Sequence, residues 1–507
     1  MGDLDTLFDY EQQYAEFAAA EEAKTWEKEE HARLRREGLA REKEEDFEPS
    51  DWDKLPDLVL ERIFSYLTVK EKYNASQVCR NWYHAFYYPE SWSTFKFEDT
   101  TLTRRRFNYY SGWQYTLDHL RTQLCLCSVG NIIKHLIFVP RTNFYNLYEF
   151  MNMISFYAEQ ERSGSKEFSR GIGSNVETLS YIFPCNQAYR NQPMELYGTG
   201  GKLLATLKRL MGNLCSLRCL QLVDLMLDFG DALHLLDEVC YSHCLTLRRL
   251  TLINVTRSKC SLLHIGVFLN LQILEISPQN LSEDGLYLLS EIETLSHLHI
   301  IQNKYTPQEL TAVSSKAWKQ LSKKKPDLQV HLQLVSNLEK GILWQDGAPV
   351  ASIWYESPKI KVDGDSVSTA VEMYGPTLRF YGHTHPPKYH QSKSFRDRMD
   401  PFFVFLVNKC PNLTTLIIRE RISTATVLLL ASYGKKLKNL YIRRNAVILR
   451  NDWPKNSDWP EGFSIWLKKS CRSYEITEQE VSQILGFRWQ MLSDKEFNKI
   501  SPSLHNL

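Results

Sequence analysis

The sequence lacks the long apolar runs and the charge imbalance that would place it in a membrane or on a polyanion. No stretch reaches the roughly 18 consecutive apolar residues of a membrane span, and no cationic head followed by an apolar stretch opens the chain. The 61 Lys and Arg residues nearly balance the 60 Asp and Glu residues, which leaves a formal net charge of +1. We therefore expect no signal peptide and no general attraction to nucleic acid or membrane, and we predict a cytoplasmic or nuclear protein.

Common catalytic motifs are also missing. The sequence has no Gly-rich phosphate loop, no nucleophile elbow and no pair of zinc ligands at helical spacing. His383, His385 and His390 share one Gly- and Pro-rich stretch, but no cysteine or carboxylate accompanies them at ligand spacing. We accordingly predict a protein without catalytic residues, cofactors or metal.

The eleven cysteines are odd in number and scattered, which favours buried thiols in a reducing compartment over disulfides. Cys215 and Cys219, followed by Cys240 and Cys244, repeat a spacing that could hold zinc through four thiolates. Cys219 falls inside a predicted strand, however, and that placement breaks the tetrahedral set.

Residues 51–97 form a short segment with more apolar surface than it can bury. Pro56 and Asp57 favour a helix start. Apolar residues then recur at helical spacing in two groups: Val59, Leu60, Ile63, Phe64 and Leu67, followed by Val78, Trp82, Ala85 and Phe86. A segment of this size is marginal alone, so we expect it to bind a partner.

From residue 131 onward, apolar residues recur at positions one, four and six of successive predicted strands. The first positions Leu247, Leu271 and Leu295 are 24 residues apart, and so are Leu413 and Leu437. Helical periodicity lies between these strands, with Ser282 and Ser423 as predicted N-caps. One strand and one helix per repeat predict an α/β solenoid in the shape of a horseshoe.

Two sets of residues resemble known families. The box pattern of F-box proteins is matched by Leu55-Pro56, Ile63-Phe64, Leu67, Val78-Cys79-Arg80, Trp82-Tyr83 and Trp92. The stretch Cys410-Pro411-Asn412-Leu413 resembles the cysteine-containing leucine-rich repeats that F-box proteins often carry. The resemblance implies a box that docks on a Skp-family adaptor and, through it, on a cullin scaffold.

The resemblance also implies where binding takes place. Adaptor contacts are expected from the box residues Leu55, Pro56, Leu60, Ile63, Leu67, Val78 and Trp82. Strand positions three, five and seven point away from the core, and they predict a concave surface for an unknown protein substrate: Arg249, His297, His299, Arg419, Tyr441 and Arg443. Its positive charge favours an acidic or phosphorylated segment; alternatively, substrate binds residues 336–400 or the C-terminal end.

The expected domain order follows from these patterns. It runs as a charged helical or disordered arm (1–50), the F-box (51–97), a linker that packs the box on the repeats (98–130), leucine-rich repeats (131–335), an insertion or irregular repeats (336–400), and C-terminal repeats with a cap (401–507). The chain is predicted to be a non-catalytic substrate receptor of a Skp-cullin-F-box ubiquitin ligase. The alternatives are an interaction scaffold without ubiquitination and, less favoured, nucleic-acid binding through Arg104–Arg106.

Overall fold

The computed structural model describes residues 51–500, apart from residues 111, 141–142, 163–170, 184–200, 308, 336–340, 455 and 458. The chain divides into two compact units, Met1–Ser91 and Trp92–Leu507. The predicted arm of residues 1–50 lies outside the described residues. Within the described ranges, no helix has both the length and the apolar character needed to cross a membrane.

From residue 51 onward, where its residues are described, the first unit consists of short helices. A 3-10 turn spans Asp51–Lys54, and the helices are α1 Asp57–Tyr66, α2 Val69–Ser76, α3 Arg80–Ala85 and α4 Pro89–Trp92. The Thr68 side chain accepts a hydrogen bond from the Glu71 backbone, and the Glu71 side chain accepts one from the Thr68 backbone. This reciprocal pair satisfies two backbone donors that would otherwise lack partners, so it fixes the start of α2.

The core of this unit is small. Leu60, Phe64 and Ala85 are fully buried. The Trp82 ring packs edge-to-face on Phe64 with 6.0 Å between centroids, and its indole N–H donates to the Trp52 carbonyl. Trp82 thereby ties α3 to α1 and to the preceding turn.

The second unit is built on a 12-stranded parallel sheet. The strands lie side by side in chain order: β1 Thr94–Phe97, β4 His135–Phe138, β5 Thr178–Ile182, β6 Cys219–Val223, β7 Arg249–Ile253, β8 Ile273–Ile276, β9 His297–Gln302, β10 Gln329–Leu334, β11 Val350–Tyr355, β12 Phe380–His383, β13 Thr415–Ile418 and β15 Asn439–Ile442. Strands β2 Thr103–Asn108 and β3 Gly112–Leu117 form a separate antiparallel hairpin, and β14 Ile422–Ser423 pairs with β16 Val447–Ile448.

Helices connect most of the strands, and the last three helices follow β16. They are α5 His119–Val129, α6 Phe144–Arg162, α7 Gly201–Asn213, α8 Phe229–His243, α9 Glu283–Glu291, α10 Ser315–Lys324, α11 Gly364–Tyr374, α12 Asp400–Lys409, α13 Thr424–Tyr433, α14 Glu461–Ser470, α15 Tyr474–Leu485 and α16 Asp494–Phe497. Short 3-10 turns span Leu263–Val267, Pro278–Asn280, Phe395–Asp397 and Arg444–Ala446. Because a parallel strand pair needs a crossover, a helix or turn between successive strands lets the sheet continue.

Serine caps set several helix starts. Ser282 accepts a hydrogen bond from the Gly285 backbone, and Ser423 accepts one from Thr426, so both predicted N-caps are confirmed. Ser473 caps α15 in the same way.

The apolar strand positions lie in the core. Leu250, Leu274 and Leu298 are adjacent in register across β7, β8 and β9, and all three are fully buried. The inward placement predicted for these positions is confirmed. Residues 350–383 supply β11 and β12 to the same sheet, with α11 between them, so this part of segment 336–400 continues the repeats. Residues 98–130 contain the β2–β3 hairpin and α5.

Truncation of Leu274 to alanine should lower the free energy of unfolding by about 2–5 kcal/mol, because it opens a cavity between two strands. Urea denaturation followed by circular dichroism measures the change. Tyr241→Ala is the matched control, since this side chain is almost fully exposed. Equal denaturation midpoints for the two variants would contradict the core assignment.

Candidate functional site

The helical unit exposes large apolar side chains although its core is complete. Leu58 is 79% exposed, Tyr66 73%, Val78 66% and Tyr73 62%. Leu58 and Tyr66 are eight residues apart on α1, a spacing that places them on one face of the helix. Apolar surface of this extent on a small helical unit indicates a contact surface for another protein.

The predicted adaptor residues separate into three groups. Pro56 and Val78 are exposed, whereas Leu55, Ile63, Leu67 and Trp82 are half-buried. Leu60 is fully buried against Phe64 and Ala85, so its assignment to the adaptor surface is corrected: it stabilises the core.

Leu58 and Tyr66 were missed from the sequence. The apolar stripe of α1 is so broad that residue spacing alone does not separate its inner side from its outer side. The useful signal was the pair Leu58 and Val59 beside Leu60, because three successive apolar residues cannot all face one small core.

Polar residues occupy one register row on the face of the sheet opposite the core leucines, here called the open face, although most of these polar side chains are also buried. Successive strands from β5 to β11 contribute Ser180, Gln221, Thr251, Glu275, His299, His331 and Ser352. Because parallel strands place paired residues side by side, these side chains form a continuous ladder.

Arg249 is neutralised within this face. Its guanidinium donates to one Glu275 carboxylate oxygen, and the Thr251 hydroxyl donates to the other at 3.0 Å. Glu275 itself is mostly buried. The cation predicted to attract an acidic substrate therefore already has a carboxylate partner.

Arg419 is not available on the predicted substrate surface at all. It is fully buried, and its guanidinium donates to the backbone carbonyl oxygens of Ser357 and Ile360, both at 2.6 Å, and of Thr384 at 3.1 Å. It holds together the loops that follow β11 and β12. No ligand can reach this charge in the folded protein, so Arg419 is a structural residue.

The chain's own C-terminal segment occupies the end of the open face. Phe497 is fully buried in a cluster with Phe380 and Ile417, and Tyr441 packs against this cluster. Arg443 forms an ion pair with Asp494 at 3.5 Å. Tyr441 and Arg443 are thus placed against residues 492–500, which removes them from the predicted open surface.

His297 and His299 remain on the open face and gain a neighbour that the sequence did not indicate. His297 is half-buried, while His299 and His331 are buried. The side-chain nitrogens that these three histidines could offer to a metal all lie within 4.8 Å of one another. Among the described residues, this is the arrangement best suited to hold a metal ion.

His383, by contrast, lies in an aromatic pocket. Its ring centroid lies 5.0 Å from that of Tyr355, 5.1 Å from Tyr381 and 6.0 Å from Phe403. Complete burial, and secondarily the nearby Arg419 guanidinium, hold the pKa of His383 well below its usual 6.5. The imidazole is therefore neutral in the folded chain.

This neutrality predicts acid sensitivity. Below about pH 6.5 the unfolded chain takes up a proton that buried His383 does not, so stability falls as the pH falls, by about 1.4 kcal/mol per pH unit. In the His383→Phe variant, the free energy of unfolding should lack this pH-dependent decrease over the range from about pH 7.5 to about pH 5.5. Urea midpoints at the two pH values measure it.

His234→Gln is the control for this prediction, because the exposed His234 side chain lies on the surface of α8. It should keep the acid sensitivity of the parent chain. Equal pH dependence in the His383→Phe variant and the parent would show that His383 titrates normally.

Comparisons with known proteins agree with this architecture. A family model described as F-box-like matches residues 52–98. F-box/LRR-repeat protein 21 of Bos taurus is 41% identical over 58 residues, which cover 11% of this chain and 13% of that protein. Its counterpart in Mus musculus is 26% identical over 143 residues, 28% of each chain. The matches thus span less than a third of either relative.

Among solved structures, a chain of the yeast Rad7 and Elc1 complex superimposes with a TM-score of 0.32 and 14% identity, over 84% of this chain and 96% of that one. The fold assignment rests on the strand register described above rather than on this superposition.

The family match and the register together define the class of protein. The chain has an F-box-like domain at residues 52–98, followed by a solenoid of the leucine-rich-repeat type. F-box domains bind Skp-family adaptors, and F-box proteins with leucine-rich repeats typically act as non-catalytic substrate adaptors.

Proposed function

We propose that this chain is the substrate-recognition subunit of a Skp-cullin-F-box ubiquitin ligase. The observation that carries the proposal is the set of exposed apolar side chains on the F-box-like unit, among them Leu58, Tyr66 and Val78. Burial of such side chains against an adaptor contributes about 1.5–3 kcal/mol each. Docking would therefore be driven by apolar contact.

In this proposal the chain catalyses nothing. The repeats hold a target protein while the adaptor and cullin hold the ubiquitin-conjugating enzyme, and the raised effective concentration brings target lysines to the ubiquitin thioester. In this proposal, ubiquitination of the target takes place in the cytoplasm, the nucleus or both.

Leu58→Asp and Val78→Asp test the docking surface. Each should weaken binding of a purified Skp-family adaptor by at least about tenfold, because a charge replaces an apolar side chain in a dry contact. Both positions are exposed, so thermal stability should not change. Isothermal titration calorimetry on the full chain gives the affinity.

Leu120→Asp is the matched control, since this leucine is 65% exposed but belongs to α5 in the second unit. It should bind the adaptor like the parent. Native affinity in both Leu58→Asp and Val78→Asp would refute the assigned surface.

The alternative is a scaffold that uses the same box without ubiquitination, and the box and repeats alone support it equally. Reconstitution separates the two. With adaptor, cullin and ubiquitin-conjugating enzyme present, a substrate receptor yields ubiquitinated proteins that are missing with Leu58→Asp. A scaffold binds the adaptor in the same way but leaves ubiquitination unchanged between parent and variant.

A further inference from the structure

Strand register brings three histidines together on the open face of the sheet. His299 on β9 is paired with His331 on β10, and His297 precedes His299 by two residues, so it projects from the same face. The rings of His299 and His331 stack with centroids 4.2 Å apart, and those of His297 and His331 with centroids 5.2 Å apart. The cluster therefore joins two adjacent repeats.

The spacing of the ring nitrogens suits a metal ion. His297 Nδ1 lies 3.0 Å from His331 Nε2. Two nitrogen ligands of a tetrahedral zinc ion, each about 2.0–2.1 Å from the metal, are about 3.3 Å apart. Binding an ion would require these two nitrogens to move apart by a few tenths of an ångström and the rings to turn until both lone pairs point at the ion; His299 lies close enough to be a third ligand.

Neighbouring polar side chains hold two of the rings in suitable orientations. His331 Nδ1 lies 2.6 Å from the Ser352 hydroxyl, and His299 Nδ1 lies 2.7 Å from the Gln333 amide nitrogen. When His331 Nδ1–H donates to Ser352, its Nε2 lone pair is directed away from that serine. Turning the Gln333 amide lets its oxygen accept from His299 Nδ1–H, which likewise leaves Nε2 as the ligand atom. Metal-binding histidines are typically supported in this way.

Solvent access to the histidine cluster and the chemistry of its ligands also favour a metal ion. His299 and His331 are buried, whereas His297 is half-buried and connects the cluster to solvent. Three neutral imidazoles without a thiolate suit zinc, cobalt or copper, and they leave a fourth position for water. We propose that His297, His299 and His331 bind one divalent transition-metal ion, with zinc as the expected occupant, and that Ser352 and Gln333 position the ligands.

Cobalt titration of the purified full-length chain, after treatment with a chelator, tests the site. One equivalent of Co²⁺ should produce visible d–d bands of low coordination number without sulfur-to-cobalt charge-transfer absorption, because every ligand is nitrogen or water. Added Zn²⁺ should displace the cobalt and abolish the bands.

Variants then identify the residues. His297→Ala should abolish stoichiometric binding, and Ser352→Ala should weaken it by about tenfold through loss of the hydrogen bond that orients His331. His234→Ala, an exposed histidine on α8, is the control and should bind like the parent. Because His297 is half-buried, its variant should fold, which circular dichroism and metal-free melting verify.

Three results would overturn the proposal. They are no d–d bands from the parent chain at micromolar cobalt, unchanged cobalt bands in His297→Ala, and a charge-transfer band that reports cysteine ligands. All three readouts are spectroscopic, so they are independent of adaptor binding and of ubiquitination. If the first result is found, the three rings form only a hydrogen-bonded stack.

Discussion

The parallel strand ladder is the constraint on which the rest of the solenoid depends. Each strand alternates its side chains, so fixing Leu250, Leu274 and Leu298 on the inner face also fixes Thr251, Glu275 and His299 on the outer face. A shift of one residue in any strand would move its leucine to the outer face and its polar side chain into the apolar core. The apolar core therefore sets the polar ladder, and every candidate site on the open face inherits its geometry from that core.

This coupling explains which features were predictable from sequence. The period of 24 residues and the serine caps at Ser282 and Ser423 are local patterns, and both reappear in the structure. Leu60 was misassigned because helical spacing shows that one side of α1 is apolar. It does not show which of those apolar residues pack into the small core of Leu60, Phe64 and Ala85.

The open face was harder to predict because its environment comes from distant parts of the chain. Strand alternation correctly places Tyr441 on the outer side, but the chain then returns and covers it with the cluster around Phe497. Arg419 follows β13, yet its partners include carbonyl oxygens that precede it by 59 and 62 residues. No local window of sequence contains such contacts. His331 joins His297 and His299 for the same reason, since only strand register brings residues 34 positions apart to one place.

The three arginines of the predicted substrate surface already have partners within the chain. Arg249 forms an ion pair with Glu275, and Arg443 forms one with Asp494. The Arg419 guanidinium donates hydrogen bonds to backbone carbonyl oxygens. Reversing these three charges would break internal contacts, so loss of a partner in such variants would report misfolding rather than a lost docking site. The proposed adaptor contact on the box is apolar, so docking there would depend only weakly on salt and would not rely on long-range charge.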